Sequence, residues 1–567
     1  MTLKIIDCLT PFFELVEKKD KINWSEIPFG QINKIFYRQL EAKALTAQLA
    51  LKFKKYLIKI KSLGYNGVIL DDLAHMVNLP FLNKRHQKIL TNFRQLYSRL
   101  IKICRQADIE VWVNTDYMFS NKQIEKYCQA KKISRAAIFK LYLRKIFKEY
   151  PVAGIIVRIG ESDGTDVKDI FKSKLAIRKP EELNSFLKEI LPVFEKSGKY
   201  LILRTWTVGA YQIGDLMWNK KTFLESFKQI RNRQLIISLK PAEADFFKYL
   251  ELSKIFFLTD HQKMLELQAR REYDGFGQIP NFIGWQYYRY LRQLKDRKDI
   301  IGISVWCQGG GWSYFKDLTF GKNSSIWNEL NTYAILELLK TASEPAAIIR
   351  KFFESRSACQ KKEIVEILEL FEQCFRQLYY DLADQQFYFR RIRVPPVISV
   401  WWQTISVNSL TMAIFQTFNQ NFSPNQAEKI IRQLKQKKQK LKKTVLYPSL
   451  NFGCRTMELI FLTRQYMRLP GQINYTKLIN YYQKYSRQYP THYQLEIQKP
   501  GLNSRIKLEM AKLLSKILIR KQQDYRLIDR VLLSPPAAKI LLFFGKRLDF
   551  LPSFVNKEAM PIEKILS

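Results

Sequence analysis

Paired cysteines, clustered histidines and long apolar runs are all missing from this sequence. Its 567 residues include seven cysteines, which are scattered and never form a C-x-x-C pair. The sequence therefore predicts neither a disulfide framework nor a zinc site. Only four histidines occur, at positions 75, 86, 261 and 492, and none has the spacing of metal ligands. We expect no catalytic metal and no cofactor.

No apolar stretch approaches the roughly 20 residues that cross a bilayer, so we expect no membrane span. The first residues, Met1 to Asp7, reach an acid too early for the apolar part of a secretory signal. The sequence therefore predicts a cytoplasmic location.

Acidic residues are scarce relative to basic ones. Lysine and arginine number 94 against 52 aspartates and glutamates, which gives a net charge of +42. Such a field attracts polyanions and speeds the encounter with an anionic substrate. A solvated basic surface without a partner is an equal alternative. The 47% hydrophobic and 14% aromatic content indicates a packed interior, and the length suits a large domain plus a further one.

The first 340 residues alternate short apolar runs with longer amphipathic ones. Helical patterns separate the runs, at 44–62, 84–106, 123–149, 181–196 and 282–294. This alternation predicts a parallel sheet, and eight units predict a closed (β/α)8 TIM barrel. In the seventh run, residues 255–258 and 264–268 compete for the strand. The expected strands are 3–8, 67–70, 110–114, 154–159, 200–205, 235–239, one within 255–268, and 302–307.

Beyond residue 340 the strand signal fades and helical spacing of apolar residues continues. We predict a barrel over 1–340 and an α-helical C-terminal domain over 341–567. The C-terminal domain could form the interface of a homodimer. The lysine-rich run 435–443 is typical of a solvated helix face, although it could contact a polyanion. The expected helices cover 364–380, 426–441, 475–489 and 506–531.

Working residues of such barrels lie where the strands end and in the loops that follow. Carboxylates, cations and tryptophans together suit sugar chemistry, because glycosidic cleavage needs one carboxylic acid and a second carboxylate, and cations can pair with an acidic sugar. Taken singly, each acid is more typical of a solvated loop residue or of a salt-bridge partner. The residues at these positions are Asp71, Asp72, Asp116, Arg158, Glu161, Asp163, Asp166, Arg204, Trp206, Lys240, Asp245, Glu266, Gln268, Glu272, Tyr273, Trp306 and Gln308.

Other chemistries lack their motifs. Glycines 309–311 are not followed by the lysine of a phosphate-binding loop, and there is no G-x-S-x-G elbow. His75 and His261 have no nucleophile beside them in sequence, so we expect each to be structural or exposed.

Four segments resemble family 67 α-glucuronidases. Residues 235–246 resemble the part of that family in which a lysine precedes a catalytic aspartate by five positions. Residues 264–275 resemble its next motif, where a catalytic glutamate precedes a tyrosine. Residues 155–161 resemble the strand that ends in the general acid, and residues 203–204 the strand with an arginine for the uronate carboxylate. The resemblance covers about residues 150–310.

The resemblance implies a role for each matching residue. Glu161 would be the general acid, and Asp245 and Glu272 would activate water in an inverting mechanism. Arg204 and Lys240 would bind the uronate carboxylate. We expect further substrate contacts from Asp116, Arg158, Trp206, Glu266 and Trp306.

Three features depart from the family pattern. We expect the family's N-terminal β-domain to be absent, because the first barrel strand is predicted to start at Leu3. The loop after Glu161 differs, and Arg158 is offset by one position from a family lysine. These departures concern the substrate more than the type of reaction.

The sequence therefore predicts a glycosidase that releases a uronic or related acidic sugar from an oligosaccharide. A barrel acting on a neutral hexose is a second interpretation, which Arg204 and Lys240 disfavour. The third is a catalytically silent barrel that binds an anionic polymer through its basic surface. We expect no nucleic-acid partner.

Overall fold

The structure is a computed structural model. It describes residues 1–14, 27–160, 169–173, 175–207, 211–307, 318–322, 324–341, 343–354, 361–380, 386–389, 391–394, 400–401, 404–419, 422–498, 502–520, 526–532, 534, 536–537, 540 and 543.

Eight parallel strands close into a barrel in the first part of the chain. Their order around the barrel is β1-β10-β9-β8-β7-β5-β3-β2, while β4 and β6 form a separate antiparallel pair. The (β/α)8 fold expected from the sequence is confirmed. The strands are β1 (Leu3–Asp7), β2 (Gly67–Asp71), β3 (Glu110–Asp116), β4 (Phe119–Ser120), β5 (Gly154–Arg158), β6 (Lys172–Ser173), β7 (Tyr200–Arg204), β8 (Leu235–Leu239), β9 (Gln262–Gln268) and β10 (Ile300–Trp306).

The competition for the seventh barrel strand is resolved in favour of the later segment. The strand is β9, whereas Lys254–Phe257 forms a single 3-10 turn with Ser253 as its N-cap. The side chain of Ser253 accepts a hydrogen bond from the amide of Ile255 at 3.3 Å. Such a cap favours a helical turn over an extended strand.

Apolar side chains fill the lower part of the barrel. Seven of the eight strands each give one buried residue to a single cluster, which can form only if these side chains point inward. Glycines make room for Trp112, the largest member: an added Cβ would lie 2.7 Å from the Trp112 ring on Gly154 and 3.3 Å from it on Gly67. The cluster comprises Ile5, Ile69, Trp112, Ile156, Ile202, Ile236 and Met264.

Helices follow most of the barrel strands. The sequence placed α5 at its observed limits, where Asn83 accepts a hydrogen bond from the amide of His86 as an N-cap. The observed helices are α1 (Thr10–Phe13), α2 (Phe29–Phe36), α3 (Gln39–Leu63), α4 (Leu73–Met76), α5 (Lys84–Gln106), α6 (Lys122–Lys131), α7 (Arg135–Glu149), α8 (Pro180–Ser197), α9 (Lys220–Ser226), α10 (Gly284–Gln293) and α11 (Ile326–Thr341).

The single helix expected over 123–149 is wrong, because two helices occupy this range. Lys132 adopts a left-handed conformation with φ of 49°, which ends α6. Ser134 then starts α7 by accepting a hydrogen bond from the amide of Ala137 at 3.0 Å. The apolar periodicity continues across the break, so it could not reveal the turn.

The later part of the chain is mainly helical, as expected, but it also contains short strands that the sequence did not indicate. Instead of one helix over 506–531, α18 is followed by β16 and then by α19. A π-helical turn, Phe375–Tyr379, continues α13. The helices are α12 (Pro345–Glu354), α13 (Lys361–Cys374), α14 (Ser409–Phe418), α15 (Pro424–Lys440), α16 (Tyr447–Arg468), α17 (Gln472–Gln488), α18 (Leu502–Leu518) and α19 (Leu527–Leu532), and the strands are β11 (Gln386–Phe389), β12 (Ile392–Val394), β13 (Val400–Trp401), β14 (Thr404–Val407), β15 (Gln494–Ile497) and β16 (Ile519–Arg520).

The chain divides into two compact units. The first comprises residues 1–241, 252–270 and 291–339, and the second comprises 242–251, 271–290 and 340–567. The second unit thus includes the segments that follow β8 and β9 in the chain. The domain limits at residue 340 remain a prediction. Among the described residues, no helix is long and apolar enough to cross a membrane.

Candidate active site

A polar layer lies directly above the apolar cluster inside the barrel. Side chains two positions apart on a strand point to the same side, so the residues that follow the cluster by two positions also point inward. All seven are buried and polar or charged, and they lie at or near the strand ends, where barrel enzymes place their chemistry. With Ser238 they are Asp7, Asp71, Asn114, Arg158, Arg204 and Glu266.

The centre of this layer is an ion pair between Arg204 on β7 and Glu266 on β9. The Nε and Nη2 groups of Arg204 donate to the two carboxylate oxygens of Glu266 at 2.8 and 2.6 Å. Trp306 donates to Glu266 at 3.2 Å, and its ring lies 4.7 Å from the guanidinium carbon of Arg204. Burial alone would raise the pKa of Glu266, but Arg204 and Lys240 hold it below its usual value. Glu266 is therefore ionised at neutral pH.

A second pair joins Asp116 on β3 to Arg158 on β5. The two side chains are 2.6 Å apart, and the Ser173 hydroxyl donates to the other oxygen of Asp116 at 2.7 Å. Burial raises the pKa of Asp116 above its usual value, although Arg158 and Ser173 act in the opposite direction. The two buried carboxylates of these ion pairs, Asp116 and Glu266, thus have pKa values shifted in opposite directions.

Lys240 and Trp206 provide a cation and an aromatic face. Lys240 directly follows β8 and is buried, and its ammonium lies 3.7 Å from the centre of the Trp206 ring. Trp206 itself is partly exposed. A cation on the face of a tryptophan ring is attracted by the ring's quadrupole, so this contact holds Lys240 in a fixed position after the strand end.

Next to β2, a buried histidine is held between two carboxylates. His75 Nδ1 lies 2.6 Å from Asp72, and Nε2 lies 3.1 Å from Asp169. The imidazole also stacks on Phe29 at 3.7 Å. Burial would lower the pKa of His75, but Asp169 and Asp72 overcome this effect and raise it to about 10. His75 is therefore a buried imidazolium.

We expect the contribution of His75 to stability to depend on pH. Its pKa is about 10 in the fold and about 6.5 in an unfolded chain. Because the folded value is higher, the stabilisation is complete below about pH 6.5 and is lost as pH rises towards 10. The difference in the free energy of unfolding between the unsubstituted protein and His75→Asn should therefore shrink over this range, as measured by denaturant titration.

His86→Asn is the control for this experiment. Burial lowers the pKa of His86, so its variant should show no such change between pH 6.5 and 10. If the difference in the free energy of unfolding between the unsubstituted protein and His75→Asn stayed constant from pH 6.5 to 10, the assignment of an imidazolium would be contradicted. A loss of packing alone does not depend on pH.

The two acids assigned to water activation belong to the second compact unit. Asp245 accepts a hydrogen bond from the Tyr273 hydroxyl at 2.7 Å, and the Tyr273 ring stacks on Phe247 at 4.3 Å. Glu272 is buried and begins a 3-10 turn, Glu272–Asp274. The structure thus brings together Asp245 and the tyrosine that follows Glu272 in the sequence motif.

Several expected site residues lie outside the described part of the chain. Glu161, the proposed general acid, is one of them, as are Asp163, Asp166 and Gln308.

Sequence reasoning missed Asp169, which pairs with His75, and of the two expectations for His75 (structural or exposed) the structure shows a buried side chain. Asp169 carried no signal, because it reaches His75 across 94 residues. For His75, the spacing Asp72-x-x-His75 was informative: Asp72 caps α4 by accepting a hydrogen bond from the His75 amide. Among the described residues, no group of three or more His, Cys, Asp or Glu side chains could hold a metal ion.

One of the solved structures to which the chain is similar supports the barrel fold. The chain is similar to a GH138 enzyme targeting pectin rhamnogalacturonan II, with a TM-score of 0.51 and 12% identity over 91% of this chain and 67% of that one. It is less similar to a chitobiase from Flavobacterium johnsoniae, with a TM-score of 0.35 and 12% identity over 82% and 76% of the two chains. For a variant of an O-GlcNAc hydrolase from Thermobaculum terrenum, the TM-score is 0.37 and the identity is 11%, over 82% of this chain and 91% of that one.

At these identities the likeness concerns the fold. No family model matches the sequence, and no curated protein matches it either. The resemblance to family 67 therefore rests on the sequence motifs.

Proposed function

We propose that this protein is a glycoside hydrolase that acts on an acidic sugar at the mouth of its barrel. The observation that carries the proposal is the buried polar layer together with its neighbours Asp116, Lys240 and Trp306, which place carboxylates, cations and a tryptophan at or near the ends of the strands. Glycosidic cleavage requires carboxyl groups in different protonation states. Around this layer burial raises the pKa of Asp116, whereas Arg204 and Lys240 lower the pKa of Glu266 against the effect of burial.

Lys240 is the cation best suited to bind the sugar carboxylate. Two donor groups of Arg204 are already used by Glu266, so Arg204 would contribute through its remaining nitrogen, Nη1. Lys240 is held over the partly exposed Trp206 ring, and an aromatic face beside a cation suits a sugar with a carboxylate. Both residues closely follow barrel strands, which would fix the position of the bound sugar.

In the proposed reaction Glu161 protonates the leaving oxygen, and Asp245 and Glu272 activate water. These roles come from the family 67 resemblance, which also implies inversion at the anomeric carbon. Inverting enzymes separate acid and base by roughly 6.5–9.5 Å to admit a water molecule. The Tyr273 hydroxyl donates a hydrogen bond to Asp245 at 2.7 Å, which holds this carboxylate in a defined position.

Hydrolysis of aryl uronides by the purified protein tests this proposal. We expect release of the aryl group from uronides and slower release from the matching neutral glycosides, measured at equal concentrations. Proton NMR of the first sugar formed should show the inverted anomer. Absence of turnover on aryl uronides and acidic oligosaccharides would favour the silent, polymer-binding barrel, whereas a retained anomer would contradict the water-activating pair.

Replacing Lys240 with methionine should weaken binding of acidic sugars selectively. We expect KM for uronides to rise about 10-fold or more, since a charge-assisted contact contributes roughly 1.5–3 kcal/mol, while KM for neutral glycosides changes little. Lys263→Met is the matched control, because Lys263 is also buried but lies at the start of β9, paired with Asp299. Equal rises for both substrates would remove Lys240 as the carboxylate ligand.

A further inference from the structure

A groove lies beside loops that follow the second, third and fourth barrel strands. It consists of two cavities of about 650 and 460 Å³. Both cavities are lined by Ser120, Glu125 and Arg135, so they lie next to each other. Each volume falls within the roughly 300–1,000 Å³ that ligand pockets occupy. The groove is therefore large enough for more than a single small ion.

Positive charge dominates this groove. Glu125 is the one carboxylate among the described residues that line it. Lys122 and Arg135 are exposed, and neither has an ion-pair partner in the part of the chain that the structure describes. We call this surface the cationic groove; its basic residues are Lys122, Lys132, Arg135, Lys172 and Arg178.

The two-stranded sheet of β4 and β6 separates the cationic groove from the barrel mouth. Ser120 pairs with Lys172, and both line the groove. The next pair, Phe119 and Ser173, faces the other way, because neighbouring residues of a strand alternate sides. On that side Ser173 donates to Asp116 in the candidate active site. One residue pair of this small sheet thus lines the groove, and Ser173 of the neighbouring pair contacts the candidate active site.

We propose that the cationic groove binds a second carboxylate-bearing sugar, so that the substrate is an acidic polysaccharide or oligosaccharide with several charged units. This inference rests on the proposed function and extends it from one acidic sugar to a charged chain. Ser120, Asn121 and Gln123 supply hydroxyl and amide groups that could bind sugar hydroxyls, beside cations that pair with carboxylates.

The lining favours a polysaccharide over a nucleic acid. Single-stranded nucleic acids are held largely by bases stacked on aromatic side chains. Among the described residues of the groove there is no phenylalanine, tyrosine or tryptophan. The net charge of +42 would draw either polymer to the protein. Among the described residues of the groove, His86 is the one aromatic ring on which a base could stack.

Binding of a galacturonate hexamer, measured by isothermal titration calorimetry with the full-length protein, tests the proposal. The double variant Lys122→Gln/Arg135→Gln should bind the hexamer roughly 2- to 30-fold more weakly, since exposed ion pairs contribute modestly. Binding of the galacturonate monomer should be unchanged. The fully methyl-esterified hexamer, which has the same length without charge, should bind weakly and equally to both proteins.

Lys54→Gln/Arg99→Gln is the matched control, because both residues are exposed on barrel helices and the variant loses the same charge. An equal loss of hexamer affinity in this control would overturn the proposal, as would no binding by the unsubstituted protein. Equally strong binding of a uridylate hexamer with the same dependence on Lys122 and Arg135 would also contradict it. Because no turnover is measured, a failure here is distinct from a failure of the proposed hydrolysis.

Discussion

Replacing Glu266 with alanine is expected to lower the free energy of unfolding by about 3–5 kcal/mol. The substitution leaves the buried guanidinium of Arg204 without the carboxylate that accepts two of its hydrogen bonds. Trp306 and Ser238 also lose their acceptor at the same carboxylate. An unpaired buried charge is far more costly than the loss of an exposed ion pair. Chemical denaturation at neutral pH measures the difference.

Two further variants separate this effect from general damage. Glu149→Ala removes the partner of Arg94 in an ion pair that is partly exposed to solvent, and we expect a loss below about 1 kcal/mol. The double variant Arg204→Met/Glu266→Leu removes both charges and should recover much of the stability lost in Glu266→Ala. If Glu266→Ala lowers the free energy of unfolding by no more than Glu149→Ala does, the ion pair between Arg204 and Glu266 is not buried.

The barrel strands could be predicted from the sequence because strands buried on both faces form short apolar runs. The seventh was ambiguous for a physical reason. In β9 the inward positions near the strand end are Glu266 and Gln268, and Lys263 at its start pairs with Asp299. These polar residues interrupt the apolar run, whereas the segment Lys254–Phe257 is more apolar but forms a 3-10 turn.

The sequence could place site residues at strand ends, but it could not identify their partners. Arg204 and Glu266 are separated by 62 residues, and Asp116 and Ser173 by 57. Each pair forms between segments that are far apart in the sequence, and no local sequence pattern indicates such a contact. Arg204 was thus expected to bind substrate, while the structure shows that Glu266 already accepts two of its hydrogen bonds. The short strands β4 and β6 also escaped notice, although they wall the cationic groove.

Replacing Glu161 with glutamine should reduce kcat/KM by about 10²–10⁴-fold on an acidic oligosaccharide, the contribution typical of a general acid. The amide cannot donate a proton to the leaving oxygen, although it nearly preserves the size of the side chain. The loss should be much smaller on 4-nitrophenyl uronides, because nitrophenolate leaves readily without protonation. The ratio of the two losses therefore reports on acid catalysis rather than on folding or binding.

Asp163→Asn and Asp166→Asn provide matched controls for Glu161→Gln, since each removes a carboxylate within five residues of Glu161 in the sequence. We expect these variants to keep most of the activity on both substrates, with no dependence on the leaving group. Glu161→Gln that loses the same factor on both substrates would exclude Glu161 as the acid. If Asp163→Asn or Asp166→Asn showed the leaving-group dependence instead, that aspartate would be the proton donor, and the proposal of acid-catalysed hydrolysis would still hold.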